Sequence, residues 1–554
     1  MKSRGTPIPM TTTLAEADTR FDRAIDRWFR DQLALRPETA TFLGVHDHDG
    51  ELSPGGRDAV DAEVEFFRRT IDEMTAIDPA ELSPDRALDR DLAIHQARLG
   101  LFWQTEYRPW AGASHGAEHL GEALFPLFTR DFAPLPERLD SIVSRLEAAP
   151  RHLVETRERV TAPVRLWTEI DIESTRRLPS FLDTILAAAR AEVGEGSAIA
   201  SRLESAAGRT KAALVEHEAW LRDDVLPRAE SGWQAGPERF EEMVRLRELD
   251  ANGDEILAVG EELLASEHEA RDAVCTEIDP TLSAGEVADL VKDDHAATFA
   301  EALGEYRQAM DRARSFVVER GLATPPREDH LNVIETPSFI RHLIPFAAYY
   351  DPARFDPSPV GTYIVTPPAT PEMMREHNRS SISNTSVHEA YPGHHLQLSA
   401  AITNPSLVRL FSGAPEFAEG WAFYCERMMK EAGFDDTPTG WYIVHTDAIW
   451  RATRIILDVQ LHRGQIGFDE AVDRLVSETG FERPAALAEV KRYTSTPTYQ
   501  LSYLFGRHMI ERLRDDVRAA EGSAFDLRRF HDTLLYGGTM PVSYARRLFR
   551  DLAA

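Results

Sequence analysis

The stretch "SVHEAYPGHHLQL", residues 386–398, contains the chain's most informative cluster of side chains. His388 and Glu389 stand side by side, as at the start of a zinc-protease motif, in which a second histidine follows four residues after the first. That position is a proline here, and His394 and His395 come only after a Pro-Gly pair. On an unbroken helix, seven residues rise about 10.5 Å, which is too far for two imidazoles to share one ion.

The Pro-Gly pair at 392–393 is suited to interrupt such a helix. Proline removes a backbone donor and clashes with the preceding turn, and glycine tolerates backbone angles that other residues resist. A bulge of two residues would return His394 to the face of His388. We therefore predict that both histidines bind a metal ion and that Glu389 is the general base. The choice between His394 and His395 stays open, and His394 is favoured because it needs the smaller rearrangement.

A second helix, predicted by "PEFAEGWAFYCERMMKEAGF" at 415–434, places a glutamate on its apolar side. The histidines alone fit a metal site and a surface cluster about equally well, and this helix favours the metal. Glu419 has an apolar context, where a carboxylate is costly unless it is paired or metal-bound. We predict Glu419 as the third ligand. Glu426, seven residues on, and His395 are expected to orient the ligands.

Most of the 554 residues carry a helical rhythm, and extended signals are confined to "LNVIET" at 331–336 and "GTYIVTPP" at 361–368. The sequence predicts a mostly α, large two-lobed helical fold with a small β element beside the helix of the site. Residues 1–14 are expected to be a disordered leader. Residues 15–325 form the predicted N-terminal lobe, and 326–554 the C-terminal lobe with the metal site.

Composition narrows the function classes. The chain has 62 basic and 92 acidic residues and a formal charge of −30. This balance disfavours nucleic acid and anionic membranes as partners, because phosphate binding needs clustered cations. The N-terminus lacks the apolar core of a signal peptide, no long apolar span occurs, and two cysteines do not make a disulfide framework. We expect a cytoplasmic protein.

The segment "KRYTSTPTYQLSYLFGRHMIERLR", 491–514, supplies further candidates. Tyr499, Tyr503 and Arg507 follow one another at four-residue spacing, so one helical face would present two phenols and a guanidinium. Tyr503 is the predicted oxyanion donor and Arg507 a clamp for a substrate carboxylate. Tyr493 and Tyr499 are predicted substrate contacts. A core aromatic stripe that ends in an arginine is an equally good interpretation.

Two other stretches carry polar residues of catalytic type. In "WRATRIILDVQLHRGQIGF", 450–468, Asp458 and His462 are one helical turn apart, and Arg454 shares their face. His462 is a predicted catalytic group, Asp458 an orienting group and Arg454 a substrate contact, although a surface ion pair explains the spacing equally well. In the "GTYIVTPP" stretch, Tyr363 is a predicted substrate contact on an edge strand that could pair with an extended peptide. A loop that packs the lobes together is the competing interpretation.

The motifs together resemble a known family. "HEAYPGHHLQL" followed by "EGWAFYCE" resembles the family catalogued as domain of unknown function 885, as do "RPETATFLGVHDHDGELS" near the start and "FHDTLLYGGTMPVSYARRL" near the end. The resemblance covers nearly the whole chain. It implies a relationship to zinc metallopeptidases with a glutamate third ligand, of the neurolysin and carboxypeptidase Taq type. In that pattern His388, His394 and Glu419 match the ligands, and Glu389 matches the base.

These observations predict a zinc-dependent hydrolase, with one Zn²⁺ per chain, that cleaves amide bonds in short peptides or peptide-like small molecules. One alternative uses the same metal on an amide of a non-peptide metabolite. The other is a non-catalytic helical binding protein. Structural zinc sites usually have four protein ligands with more sulfur, which weakens the second alternative.

Overall fold

The computed structural model describes residues 14–336, 341, 344 and 347–549. The chain is mostly helical, as predicted. The helices are α1 Leu14–Leu35, α2 Pro37–Leu43, α3 Arg57–Thr75, α4 Pro84–Phe102, α5 Pro109–Gly112, α6 Gly116–Thr129, α7 Leu135–Arg157, α8 Arg165–Val193, α9 Ala198–Trp220, α10 Leu226–Arg228, α11 Pro237–Leu246, α12 Gly253–Ile278, α13 Ala284–Asp293, α14 Phe299–Glu319, α15 Arg379–Glu389, α16 His394–Ala401, α17 Leu407–Leu410, α18 Pro415–Glu431, α19 Pro438–His462, α20 Phe468–Thr479, α21 Arg483–Ser495, α22 Leu504–Glu521, α23 Leu527–Gly537 and α24 Val542–Ala545. The strands are β1 Leu331–Glu335, β2 Ala347–Tyr350 and β3 Gly361–Val365. Of the predicted leader, residues 1–13 lie outside the described residues, and Leu14 begins α1.

Local sequence signals set the helix ends. At the start of α14, the Thr298 hydroxyl accepts the Glu301 amide and the Glu301 carboxylate accepts the Thr298 amide, which satisfies two donors that a helix start leaves open. Two of the helices that carry site residues begin with proline, Pro415 in α18 and Pro438 in α19. Proline is favoured there because the first amide of a helix has no partner to lose.

The three strands form one small sheet in the order β1-β3-β2. Strands β1 and β3 are parallel, and β2 and β3 are antiparallel. Both predicted strands are confirmed, whereas β2 was not predicted because "AAYY" is short and lacks β-branched residues. The structure contradicts the prediction that the "GTYIVTPP" strand is a peptide-binding edge, since β3 is hydrogen-bonded on both sides.

The sheet lies between two hydrophobic clusters. Tyr363 belongs to the largest cluster, and the next residue, Ile364, belongs to a cluster formed mainly by α6 to α9. Successive side chains of a strand point to opposite faces, so β3 contributes to both. The largest cluster also holds Phe21, Met310 and Trp421. The sequence before and after the predicted boundary near 325 therefore shares one core.

Helices α18 and α22 touch through their backbones at two glycines. A Cβ atom on Gly420 would lie 2.5 Å from the carbonyl carbon of Gly506, and one on Gly506 would lie 2.2 Å from the carbonyl oxygen of Glu416. Neither distance is possible for a side chain without moving the helices. This contact brings the segment that precedes α22 against the helix that carries Glu419.

The lowered pKa values of four buried histidines predict that the protein loses stability in mild acid. Burial lowers the pKa of His95, His152, His462 and His531 to about 4. In the unfolded chain these imidazoles have a pKa near 6.5. Between pH 6.5 and 4 they are therefore protonated in the unfolded chain and mostly neutral in the folded protein. We expect the free energy of unfolding to be highest above pH 6.5 and to fall as the pH drops from 6.5 towards 4. The loss is about 2 kcal/mol per histidine at pH 5. Urea unfolding at pH 7.5 and pH 5 measures it, and equal stabilities would contradict the prediction.

Candidate metal centre

The histidine motif spans a break between two helices. Helix α15 ends at Glu389 and α16 begins at His394. Across the break the amide of Gly393 donates to the carbonyl of Val387 at 3.0 Å, a span of six residues in place of the four of an α-helix. Two residues are therefore inserted, and the predicted interruption is confirmed. The insertion returns His394 to the side of His388, and the centroids of their rings are 4.8 Å apart.

The break requires the glycine and is held by a neighbouring helix. A Cβ atom on Gly393 would lie 1.8 Å from the carbonyl oxygen of His388. The indole Nε1 of Trp421, on α18, donates to the carbonyl of Pro392 at 2.8 Å. The Pro-Gly pair and α18 together fix the turn on which the second histidine depends.

Three side chains converge at this turn. The Nε2 atoms of His388 and His394 lie 3.8 and 3.3 Å from Oε2 of Glu419. All three ligand atoms lie within 4.8 Å of one another. Ligands at 2.0–2.1 Å from a tetrahedral zinc ion are about 3.4 Å apart, so the cluster has the dimensions of a metal site. The three side chains are 12% to 16% exposed, and solvent can reach them.

Neighbouring groups orient two of the three side chains, His388 and Glu419. The Nδ1 of His388 donates to Oε1 of Glu426 at 2.7 Å, and Asn384 donates to the other oxygen of Glu426 at 2.8 Å. Nε2 of His388 is then the nitrogen with a lone pair for a ligand. The hydroxyl of Tyr499 donates to Oε1 of Glu419 at 3.1 Å. Glu426 contacts His388, as predicted. Tyr499, predicted to contact substrate, instead contacts Glu419, the predicted third ligand.

The electrostatics of the cluster favour positive charge. Burial opposes protonation of His388, but hydrogen bonds with Glu419 and Glu426 outweigh it and raise the pKa of His388 to about 10. Burial likewise opposes ionisation of Glu419, yet its contacts with His388 and His394 hold its pKa well below the usual value. A proton or a metal ion between these atoms would relieve the repulsion between a carboxylate and two imidazole lone pairs.

Glu389, the predicted base, is the last residue of α15 and is half-buried beside the cluster. Its carboxylate makes no hydrogen bond to another residue in the described part of the chain. Tyr363, predicted to contact substrate, is buried in the core with its ring centroid 6.0 Å from that of Tyr306. The structure contradicts that contact, because side chains of the large cluster cover the phenol.

His395 belongs to a different network. Its Nε2 lies 2.7 Å from Oδ1 of Asp329 and its Nδ1 lies 2.9 Å from the hydroxyl of Tyr349. Asp329 also accepts the hydroxyl of Tyr391 at 2.9 Å. Both ring nitrogens of His395 are occupied, so the geometry selects His394 for the cluster. His395 contacts none of the three converging side chains, and the prediction that it orients them is wrong.

The single helical face predicted from Tyr499 to Arg507 does not form. A 3₁₀ turn, Tyr499–Ser502, precedes α22, and the four-residue face is broken. The ring of Tyr503 lies 6.1 Å from that of Tyr499 and so remains beside the site. Arg507 is only 2% exposed and donates to Glu267 at 2.9 Å. It is a buried ion-pair partner, and its predicted role as a substrate clamp is wrong.

Arg454 and Tyr493 lie in a buried network behind Tyr503. Nε of Arg454 donates to the Tyr493 hydroxyl at 3.0 Å, and Nη2 donates to Glu489 at 2.8 Å. The Tyr493 hydroxyl donates to the same carboxylate at 2.8 Å. The structure contradicts both predicted substrate contacts, since these polar groups bond to one another and are covered.

Asp458 and His462 face the core. His462 does not face the candidate metal centre. Its Nε2 donates to the carbonyl of Tyr493 at 2.9 Å, and the centroid of its ring lies 5.7 Å from that of Trp233. Asp458 accepts the amide of Thr498 at 2.8 Å. Burial raises the pKa of Asp458 well above its usual value. The catalytic role of His462 and the orienting role of Asp458 at the metal are therefore wrong.

Three polar residues of the site were missed. Asn384 contacts Glu426, its amide also reaches Asp447 at 3.1 Å, and Asp447 accepts Nη1 of Arg451 at 3.1 Å. The signal was available in the helical spacing. Asn384 lies one turn before His388, and Asp447 one turn before Arg451.

A family profile described as "Bacterial protein of unknown function (DUF885)" matches residues 37–548. The chain belongs to this family. Two solved structures share the fold: a "putative lipoprotein of unknown function" from Shewanella oneidensis and a "putative lipoprotein" from Colwellia psychrerythraea. The first has a TM-score of 0.78 at 22% identity and covers 97% of this chain and 99% of its own. The second has a TM-score of 0.83 at 16% identity and covers 96% and 98%.

No curated protein matches this DUF885 sequence. At these identities the two structures establish the fold alone. None of the helices in the described ranges is long and apolar enough to cross a membrane.

Proposed function

We propose that this DUF885 chain is a zinc-dependent hydrolase that cleaves amide bonds in short peptides or peptide-like small molecules. The observation that carries the proposal is the convergence of two imidazole nitrogens and a carboxylate oxygen beside Glu389. The proposal includes a relationship to zinc metallopeptidases with a glutamate third ligand, which the HE pair, the two-residue insertion and Glu419 support.

The residues fit a zinc ion. His388, His394 and Glu419 would hold it, with the hydrogen bond to Glu426 setting the tautomer of His388. When bound, such an ion supplies a Lewis acid that activates water and polarises a carbonyl. Three protein ligands are typical of catalytic sites, which keep one position open.

The chain's own side chains would then move the proton. Glu389 would accept a proton from the attacking water and return it to the leaving nitrogen. Tyr503, beside Tyr499 and near Glu419, is a candidate donor to the oxyanion that develops on the carbonyl. The hydrogen bond from Tyr499 holds the carboxylate of Glu419 in place.

A purely structural metal is the less favoured alternative. Among the described residues no fourth histidine, cysteine or acidic side chain joins the three ligands. Both cysteines, Cys275 and Cys425, are buried and unpaired. The geometry does not separate a peptide from the amide of another metabolite, so that alternative is tested by substrate. A cytoplasmic location is likewise a proposal that rests on sequence composition.

The test combines metal analysis with a substrate panel. Purified protein is expected to contain about one zinc per chain, and a panel of short peptides and acyl amides is expected to include substrates. Treatment with a chelator should remove activity, and added zinc should restore it. Metal-free protein that cannot be loaded, or loaded protein that cleaves nothing in the panel, would refute the proposal.

Glu426→Gln is expected to weaken zinc binding about 10- to 100-fold, because His388 loses the acceptor that fixes its tautomer. The fold should persist, since glutamine keeps the shape and can still bond to Asn384. Competition with a chromophoric chelator measures the affinity. Glu431→Gln, an exposed change on the same helix, is the matched control. Equal affinities of the Glu426 variant and the wild type would contradict the orienting role.

A further inference from the structure

Arg451, on α19, lies beside the candidate metal centre and has an N–H donor without a hydrogen-bond partner among the described residues. Its Nη1 donates to Asp447 at 3.1 Å, and its Nε is buried without a hydrogen-bond partner among the described residues. The guanidinium carbon lies 4.0 Å from the ring centroid of Trp450, 5.5 Å from that of Phe423 and 5.9 Å from that of Tyr503. A guanidinium has five N–H donors, so this one is incompletely satisfied.

The side chains that contact Arg451 also lie close to the metal ligand Glu419. Phe423 follows the ligand Glu419 by one turn of α18, and Tyr503 stands next to Tyr499, which bonds to that ligand. The distances from Arg451 to the rings of Phe423 and Tyr503 therefore place its guanidinium beside the part of α18 that follows Glu419 and beside the tyrosine pair that contacts Glu419.

A chain of hydrogen bonds also connects Arg451 to the ligand His388. Asp447, its partner, also accepts Asn384, which bonds to Glu426. Glu426 in turn holds His388. The guanidinium is thus anchored to the same hydrogen-bonded chain that orients the metal ligand, and its orientation is fixed relative to the cluster.

Among the described residues, Arg454 and Arg507 also lie beside Tyr503 and Phe423, and neither is accessible enough to bind an anion. Arg454 is 3% exposed, and its donors go to Tyr493 and Glu489. Arg507 is buried against Glu267. The Arg451 side chain is 13% exposed, as accessible as the cluster itself.

We propose that Arg451 binds a carboxylate of the substrate. The preferred substrates would then be short peptides or peptide-like amides that carry a carboxylate near the cleaved bond. The carboxylate could be a chain terminus or an acidic side chain. The inference rests on the proposed function for the position of the cleaved bond, and the carboxylate preference is measurable without turnover.

The test measures binding to zinc-loaded Glu389→Gln protein by calorimetry. The probes are trialanine, trialanine amide and the tripeptide amide Ala-Ala-Asp-NH₂. Trialanine is expected to bind about 10- to 100-fold tighter than its amide, the range for a charge-assisted pair. Adding Arg451→Gln should remove that difference and leave binding of the amide within about threefold of its former value.

Two further variants keep the test sharp. Arg451→Lys retains the charge and should keep part of the preference, and it serves if the glutamine variant folds poorly. Arg427→Gln is the matched control: it removes an arginine that also pairs one turn along a helix, with Glu431, but is 39% exposed. The control should bind all probes as its parent does. Thermal unfolding and zinc content establish that each variant is folded and loaded.

The outcomes are distinct. If trialanine and its amide bind equally, if neither binds, or if Arg451→Gln retains the preference, the inference is overturned. If Ala-Ala-Asp-NH₂ binds with the affinity of trialanine, the site accepts any carboxylate. If it binds with the affinity of trialanine amide, the site requires a chain terminus. A preference that depends on Arg451, in a zinc-loaded wild type that hydrolyses neither the probes nor any member of the substrate panel, would refute the proposed function and leave the carboxylate site standing.

Discussion

Glu389→Gln is expected to abolish hydrolysis and to leave the zinc in place. Glutamine has the shape of glutamate and does not disturb His388, His394 or Glu419, but it cannot accept a proton from water. Loss of a general base costs about 10²- to 10⁴-fold in rate. Turnover of a substrate found in the panel, measured with zinc content by elemental analysis, separates the loss of the base from the loss of the metal.

The control for this change is Glu416→Gln on the next motif helix. Glu416 is buried and accepts Nη2 of Arg247 at 2.6 Å, so its replacement tests whether any buried glutamate of α18 has the same effect. We expect that variant to lose stability and to keep its turnover per folded molecule. Full activity of Glu389→Gln would mean that the base is another residue.

His394→Gln and His395→Gln are expected to have opposite effects on the metal. His394→Gln removes one of three ligands, and we expect zinc and activity to be lost together. His395→Gln leaves the three ligand atoms in place, and we expect zinc to remain. The second change should instead cost about 1–3 kcal/mol of unfolding free energy, because the buried Asp329 and Tyr349 lose a hydrogen-bond partner.

Zinc content and urea unfolding, measured on both variants, decide between the adjacent histidines. If His395→Gln loses the metal and His394→Gln keeps it, the ligand assignment is reversed. If both keep full zinc, the ion lies elsewhere. The pair is matched, since the substitutions are identical and one residue apart.

The interruption of the motif helix could be read from sequence because it follows from helix geometry. An unbroken helix holds His388 and His394 too far apart, and a Pro-Gly pair stands between them. The structure inserts two residues there, and its hydrogen bonds span six residues. Glu419 and Glu426 were also identifiable, since they share one face of an otherwise apolar helix.

The segment with Tyr499, Tyr503 and Arg507 shows where the sequence interpretation failed. It assumed a helix from Tyr499 onward, but Tyr499–Ser502 is a 3₁₀ turn and α22 begins only at Leu504. A 3₁₀ turn has three residues per turn, so a four-residue spacing does not define one face there. The four-residue spacing consequently grouped side chains that the fold separates.

The sequence by itself determined the helical class, the small β element and the residues of the candidate metal cluster, because these depend on local periodicity and on residues close together in the chain. The tertiary structure alone decided which polar faces meet solvent. Asp458 and His462 have the spacing of a surface pair and lie in the core, whereas Arg451, not singled out by sequence, is accessible beside the site. The physical reason is that periodicity defines a face of a helix, and only the packing of neighbouring helices determines whether that face is covered.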